Sequence, residues 1–189
     1  MSSPKPSSAR DPDFPVGIIK GSSQHERDLG GKYLTFALGD EGYGMEILCV
    51  REIIKFTEIT HVPRTPPHVR GVINLRGQVI SVLDLRSRFD MEPIEATDET
   101  CIIVVESSFK GRQLCTGVIV DRVSEVVTIP TDNIQPPVQF GSMVETQYIL
   151  GLGKLEKQVT ILLDVEKILD LQDELDELET DEDDEALAA

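Results

Sequence analysis

Histidine, cysteine and carboxylate side chains are where catalysis or metal binding would have to begin in this 189-residue sequence. The histidines are His25, His61 and His68, and the cysteines are Cys49, Cys101 and Cys115. Cys49 with His61 and His68 is a conceivable metal set, but its spacing matches no common ligand pattern and Cys49 lies in an apolar run. No cysteine belongs to a Cys-x-x-Cys pair, so the thiols read as buried and reduced. Asp84 and Asp164 each close an apolar strand ahead of a helix-like stretch, a position suited to capping rather than acid–base work. Asp121 also follows an apolar strand, but more strand comes after it. The sequence holds no GxSxG, GxxxxGKS/T or GxGxxG, and Gly151-Leu152-Gly153 is too short for a phosphate cradle. These residues give an enzyme no foothold, and no cofactor or metal is expected.

A different kind of chemistry is suggested by Val72-Ile73-Asn74-Leu75-Arg76-Gly77. Arg76 stands in an apolar neighbourhood, with Gly71 and Gly77 nearby and a strand following. A guanidinium there can pair with a carboxylate such as Glu52 and fix a turn, or it can be presented to a partner in a groove. Spacing alone leaves both open.

Three regions position these residues. Residues 1–31 are rich in Ser, Pro, Gly and Asp, cannot offset their ordering entropy by burial, and read as a disordered arm. Residues 32–169 are dense in Val, Ile and Leu and read as the folded domain. Residues 170–189 form an acidic tail, dominated by Asp and Glu and without Lys or Arg. Of the formal −16, that tail carries −11 and the arm balances at zero, leaving −5 for the middle. A charge so distributed excludes a nucleic-acid footprint and a basic membrane-binding cluster. No window approaches the ~18 apolar residues of a spanning helix, so no direct membrane insertion is expected and cytoplasm is the default.

Within the middle, Tyr33–Leu38, Tyr43–Phe56, Gln78–Leu83, Cys101–Glu106, Gln113–Val120 and Val123–Ile129 read as strands. Gly39-Asp40-Glu41-Gly42 is a turn, Pro63, Pro66 and Pro67 exclude regular structure, and helix is expected only after Asp84, near Tyr148 and after Asp164. Ile168, Leu171, Leu175 and Leu178 would let a C-terminal helix run to about Leu178. The pattern also repeats. Gln78-Val79 and Leu83-Asp84 recur at an offset of 80 as Gln158-Val159 and Leu163-Asp164, carrying Gly71 and Leu75 onto Gly151 and Leu155. Val50 to Ile54 resembles Val123 to Val127 at an offset of 73. Two halves of about five short strands each would curl into small barrels with thin cores, share an apolar seam, and leave a groove between them for a partner. The counterpart of Arg76 is Glu156. A binding residue need exist only once, which tilts Arg76 towards binding.

Those residues carry a resemblance. Gly39-Asp40-Glu41-Gly42-Tyr43-Gly44 with Met45-Glu46-Ile47, Val50 and Glu52-Ile53 resembles the opening of CheW proteins. So do Ile59-Thr60, Pro66, Gly71-Val72, Asn74-Leu75-Arg76-Gly77 and Asp84-Leu85, and in the second half Gly117 to Asp121, Tyr148-Ile149, Gly151 and Ile161 to Leu163. Ser81 departs from the proline the family often places there, and neither the arm nor the tail matches a family motif. The resemblance implies an all-β fold of two intertwined five-stranded β-barrels, Src-homology-3-like, with short helices and a C-terminal helix. It implies a non-catalytic adaptor in chemotaxis signal transduction, recruited to membrane-associated receptor arrays. Its partners would be the cytoplasmic tip of chemoreceptors and the regulatory domain of the CheA histidine kinase. The receptor-binding set it transfers is Val50, Glu52, Gly71, Asn74, Leu75, Arg76 and Gly77. For the kinase it nominates Leu34 and Ile47, either of which could instead be core. The alternatives are a small-molecule-binding double barrel and an adaptor of a chemotaxis-like pathway whose output is not motility.

Overall fold

The computed structural model describes residues 28–109, 112–137, 146–155 and 158–170. The arm before Asp28, the tail from Leu171 with its expected helix to Leu178, and Glu156 lie outside the described residues.

The chain forms eleven strands and two short α-helices among these residues. The first half runs β1 (Gly31–Leu38), β2 (Glu41–Glu46), β3 (Val50–Lys55), β4 (Val69–Leu75), β5 (Gln78–Asp84) and α1 (Leu85–Arg88). The second runs β6 (Cys101–Phe109), β7 (Arg112–Val120), β8 (Arg122–Ile129), β9 (Ile134–Gln135), β10 (Ile149–Leu155), β11 (Gln158–Leu163) and α2 (Val165–Leu169). Two sheets result, in the orders β3-β6-β7-β5-β4 and β8-β1-β2-β11-β10-β9.

Each sheet takes its first hairpin from the other half. β6 and β7 sit between β3 and β5, and β1 and β2 sit between β8 and β11. The exchange is reciprocal down to the register. β7 pairs parallel with β5, placing Gly117 beside Val82, and β2 pairs parallel with β11, placing Gly44 beside Leu162. A bulge interrupts β4–β5 between Val69 and Gly71, and another interrupts β10–β11 between Ile149 and Gly151. The Asp84 N–H donates to the His68 carbonyl at 2.8 Å, and at the equivalent place in the second half the Asp164 N–H donates to the Tyr148 carbonyl at 2.8 Å. These are the two intertwined five-stranded units expected; β9 adds a short sixth strand to one of them. Its counterpart is the isolated bridge between Thr60 and Val72.

Three local features explain why the sequence folds this way. Gly39, at φ 61°, turns β1 into β2. Asp84 caps α1 by accepting from the N–H groups of Arg86 and Ser87, and Asp164 caps α2 by accepting from Lys167 N–H. Gly71 lies at φ 138°, and a Cβ there would run into the Thr60 carbonyl oxygen, so only glycine lets β4 approach that segment. The continuous apolar stretch from Tyr43 to Phe56 is divided, because a 3-10 turn at Ile47–Cys49 carries the chain from one sheet to the other. Strands β4 and β10 had no clear alternation to announce them, and Gly151-Leu152-Gly153 proves to lie within β10.

The core has three parts. Ile73, Ile80, Val82, Ile102, Val104 and Ile119 fill the first unit, and Tyr33, Ile129 and Leu162 fill the second. The largest cluster lies between them: Leu34, Phe36, Leu38, Met45, Ile103, Val105, Val118, Val120 and Leu163, closed by Leu85, Val165 and Ile168 of the helices. Because strands β1, β6 and β7 are buried on both faces, neither unit keeps its core without the other. At about 1.5–3 kcal/mol for each large apolar side chain covered, the seam is the main source of stability.

Candidate functional site

Strands β3 and β4 are the outermost members of the five-stranded sheet and share no ladder. They nevertheless meet through side chains, since Arg76 Nη2 donates to Glu52 Oε2 at 2.8 Å. The sheet therefore curls on itself, and this ion pair sits at the closure. Arg76 reaches Glu52 from the tip of the β4–β5 hairpin, where Leu75 pairs with Gln78 across the loop Arg76-Gly77. Both loop residues have positive φ, 51° and 90°, the signature of a type I′ turn. Asn74 Oδ1 accepts from Gly77 N–H at 2.7 Å and locks the turn.

Arg76 is paired with Glu52 as one of the two readings requires, and it is also exposed to solvent. Its side chain is 79% exposed while that of Glu52 is 20% exposed. An exposed pair of this kind contributes roughly 0–1 kcal/mol. Placing a non-glycine residue in the left-handed region costs about 1 kcal/mol, and Asn or Gly would be the usual occupant. Stability alone therefore gives little reason for arginine at this position.

The structure gathers some of the expected residues and separates others. Glu52, Asn74, Arg76 and Gly77 meet at the hairpin tip. Val50 lies on the same strand as Glu52, packed partly against the seam, with Arg51 bulged between them. Leu75 faces the interior of the first unit. Gly71, further back along β4, acts through its contact with Thr60 and not at the tip. Of the two residues nominated for the kinase, Leu34 is 2% exposed in the seam, where it has no surface to offer a partner. Its core alternative holds, and it leaves the candidate surface. Ile47 remains half-buried on the 3-10 turn, and its neighbour Leu48 is 93% exposed.

Leu48 was not visible in the sequence, where it stood inside one long apolar run. The signal that could have found it is the repeat, since Leu48 falls opposite Asp121 at the offset of 73 and is apolar where its counterpart is charged. The same comparison pairs two further sets of exposed apolar residues, Ile53 with Val126 and Val79 with Val159. Arg86 was also missed. It donates to Asp121 Oδ1 and Oδ2 at 2.8 and 2.6 Å, and Asp121 Oδ2 accepts from Gly39 N–H at 2.6 Å. Burial pushes the Asp121 carboxyl up, but these hydrogen bonds and the charge of Arg86 outweigh it and hold it below its usual value.

Two hollows lie elsewhere. One, of about 340 Å³, is bounded by Phe56, Arg70, Arg86, Ile94, Ile119 and Asp121; a smaller one, about 60 Å³, lies beside Glu46, Cys49 and Glu166. Neither includes Glu52 or Arg76. Among the described residues no group of three His, Cys, Asp or Glu side chains could hold a metal ion, and no helix is long and apolar enough to cross a membrane. What the candidate site offers is an exposed guanidinium held by a largely buried carboxylate.

Comparison with known proteins bears on the same residues. The CheW-like domain family model matches residues 32–173. The chain is 35% identical over 154 residues to the chemotaxis protein CheW of Klebsiella aerogenes, covering 82% of this chain and 90% of that protein. It is 33% identical over 148 residues to CheW of Bacillus subtilis, covering 77% and 90%. The crystal structure of the scaffolding protein TtCheW from Thermoanaerobacter tengcongensis superposes with a TM-score of 0.66 at 32% identity, covering 75% of this chain and 94% of that one. With its exchanged hairpins, paired bulges and guarded hairpin tip, this chain belongs to the CheW family, the non-catalytic scaffolds of chemotaxis signalling.

Proposed function

We propose that the chain couples chemoreceptors to CheA through two separate faces, the Glu52–Arg76 hairpin tip for the receptor and the Ile47–Leu48 turn for the kinase. The single observation carrying the first assignment is that Arg76 is held at positive φ and left 79% exposed, a conformation for which the fold itself has little use. A receptor tip would meet Arg76 and Glu52 with Val50 as the apolar floor. Asn74, Gly77 and Gly71 act at one remove, by holding the hairpin in shape.

The second face rests on Leu48, which presents an apolar side chain to solvent where the chain crosses between sheets. Aliphatic anchors of this kind gain from burial against a partner, and the regulatory domain of CheA is the partner we assign. Each contact would be modest, and the strength of the assembly would come from many couplers, receptors and kinases engaging together. The coupler performs no reaction. It passes a receptor bias to the kinase only in so far as it contacts the two signalling states differently. On this reading the chain works in the cytoplasm, brought to membrane-associated receptor arrays by its partners.

The test is co-purification of the full chain with a receptor cytoplasmic fragment and with CheA. Both should be retained, and Arg76→Glu should lose only the receptor. Retention of neither, with a metabolite raising the melting temperature, would transfer the function to the 340 Å³ hollow and a small ligand.

A further inference from the structure

Consecutive residues of a regular strand point to opposite faces, but Arg51 and Glu52 do not. Val50 stands opposite Val105 of β6 and Glu52 opposite Val104, so Arg51 is the extra residue of a bulge in β3. Val104 belongs to the core of the first unit. Glu106, two residues further along a strand whose register with β7 is unbroken, shares that face. It pairs across the ladder with Cys115, which packs against the same core. Arg51 Nη1 donates to Glu106 Oε1 and to Cys115 Sγ, each at 3.2 Å. Arg51 and Glu52 therefore lie on one face, and from neighbouring positions they make two ion pairs, Arg51–Glu106 and Glu52–Arg76.

The second half carries the same bulge and holds it by other means. The pairs Leu34–Val126 and Phe36–Val123 leave Ser124 and Glu125 of β8 across from Thr35 alone. The Thr35 hydroxyl donates to the Glu125 carbonyl at 2.8 Å and accepts from Glu125 N–H at 3.2 Å, which fixes the bulged backbone. At the repeat offset of 73, Ser124 and Glu125 answer to Arg51 and Glu52, and Val104 takes the place of Thr35. Valine has no hydroxyl to offer. Strand β3 is also the edge of its sheet, so no ladder supports its other side. Among the described residues Arg76 is the sole hydrogen-bond partner of the Glu52 carboxylate, whose aim thus depends on the bulge. We infer that Arg51, tied to Glu106 and Cys115, is a positioning residue that fixes the β3 bulge and turns the Glu52 carboxylate towards Arg76. This deepens the receptor reading of the hairpin tip, and its consequence for coupling rests on that reading. Without the tether Arg76 keeps its turn, locked by Asn74, but a receptor meets a less preorganised pair.

The experiment follows the Arg76 Nε–Hε resonance in the full chain, free of partners, and then measures affinity for a receptor cytoplasmic fragment. Glu52→Gln marks where the resonance falls when the charge pair is broken. Arg51→Met and Glu106→Ala should each move it most of the way to that mark. Glu106→Ala is the sharper arm, because among the described residues Glu106 bonds to neither Glu52 nor Arg76. Both variants should weaken receptor binding by about threefold to fivefold, the upper part of what one exposed pair contributes, and leave CheA retention unchanged. A resonance that stays at its native position in either variant would overturn the positioning role, whatever the receptor does. A shifted resonance with receptor affinity unchanged would overturn the role in coupling if Arg76→Glu still releases the receptor. If Arg76→Glu keeps the receptor as well, the receptor reading of the tip fails and the positioning of Glu52 stands.

Discussion

Two corners of the molecule occupy equivalent places in the repeated fold and are built in opposite ways. Where β7 passes into β8, Asp121 is clasped by Arg86 and by Gly39 N–H, with the Arg86 and Asp121 side chains only 12% and 20% exposed. Where β2 passes towards β3, the same positions are held by Leu48 and Glu166, an exposed leucine and an exposed acid that form no such clasp. Backbone geometry is preserved between the corners, in the paired bulges, the capping aspartates and the close-packed glycines. Side chains diverge where the backbone asks nothing of them. One corner has become an internal staple, and the other leaves its leucine exposed to solvent.

The largest expected contrast is in stability. Asp121→Ala strands the partly buried guanidinium of Arg86 and should cost about 3 kcal/mol, read as a lower denaturation midpoint in urea. Leu48→Asp at the equivalent corner should change the unfolding free energy by less than about 0.5 kcal/mol. Similar losses at both corners would mean that Leu48 supports the fold.

Acid should act in two separate windows. His68, behind α1, is pushed down from 6.5 to about 4, chiefly by burial and secondly by the charge of Arg88. The unfolded chain takes up that proton near pH 6.5 and the folded chain only near 4. Stability should therefore hold above 6.5, fall as the pH drops towards 4, and change no further through this group. Asp121 acts in the same direction at lower pH, through a carboxylate held charged and not an imidazole held neutral. Its folded value lies below 3.8, so the stability it contributes is complete above that pH and is lost as the pH falls through its lower value. His68→Gln should flatten the first slope and leave the second, as followed by urea midpoints from about pH 7 to about pH 3.

A smaller effect tests whether the corners are interchangeable. Leu48→Asp with Glu166→Arg moves the charges of the staple to the open corner. It should add no more than about 1 kcal/mol of stability while weakening CheA retention. Unchanged CheA binding would remove Leu48 from the kinase face.

Much of this was legible in the residues. The repeat Gln78-Val79…Leu83-Asp84 against Gln158-Val159…Leu163-Asp164 foretold the duplicated strands and both caps, because each copy must satisfy the same backbone groups. The exchange of hairpins, by contrast, has no local signature. β1 and β6 are apolar on both faces whichever unit they join, and only the parallel pairing of β2 with β11 and of β7 with β5 decides it. At the site, the glycines and Asn74 pointed to a special turn, and Glu52 was named as a carboxylate partner for Arg76. The staple escaped notice because Arg86 and Asp121 lie far apart in the chain and meet only once the sheets are formed. Leu34 could not be told from a surface anchor because alternation along β1 gives no sign of which face is the seam.

A small expected change in stability also belongs to the residue proposed to meet the receptor, and it gives the most direct test. Arg76→Glu removes a pair worth no more than about 1 kcal/mol, so the melting curve should stay close to that of the native chain. In a single co-purification containing receptor fragment and CheA, that variant should keep CheA and release the receptor. If it keeps both partners, or loses both while unfolding, the hairpin tip is not the receptor-facing surface of this coupler.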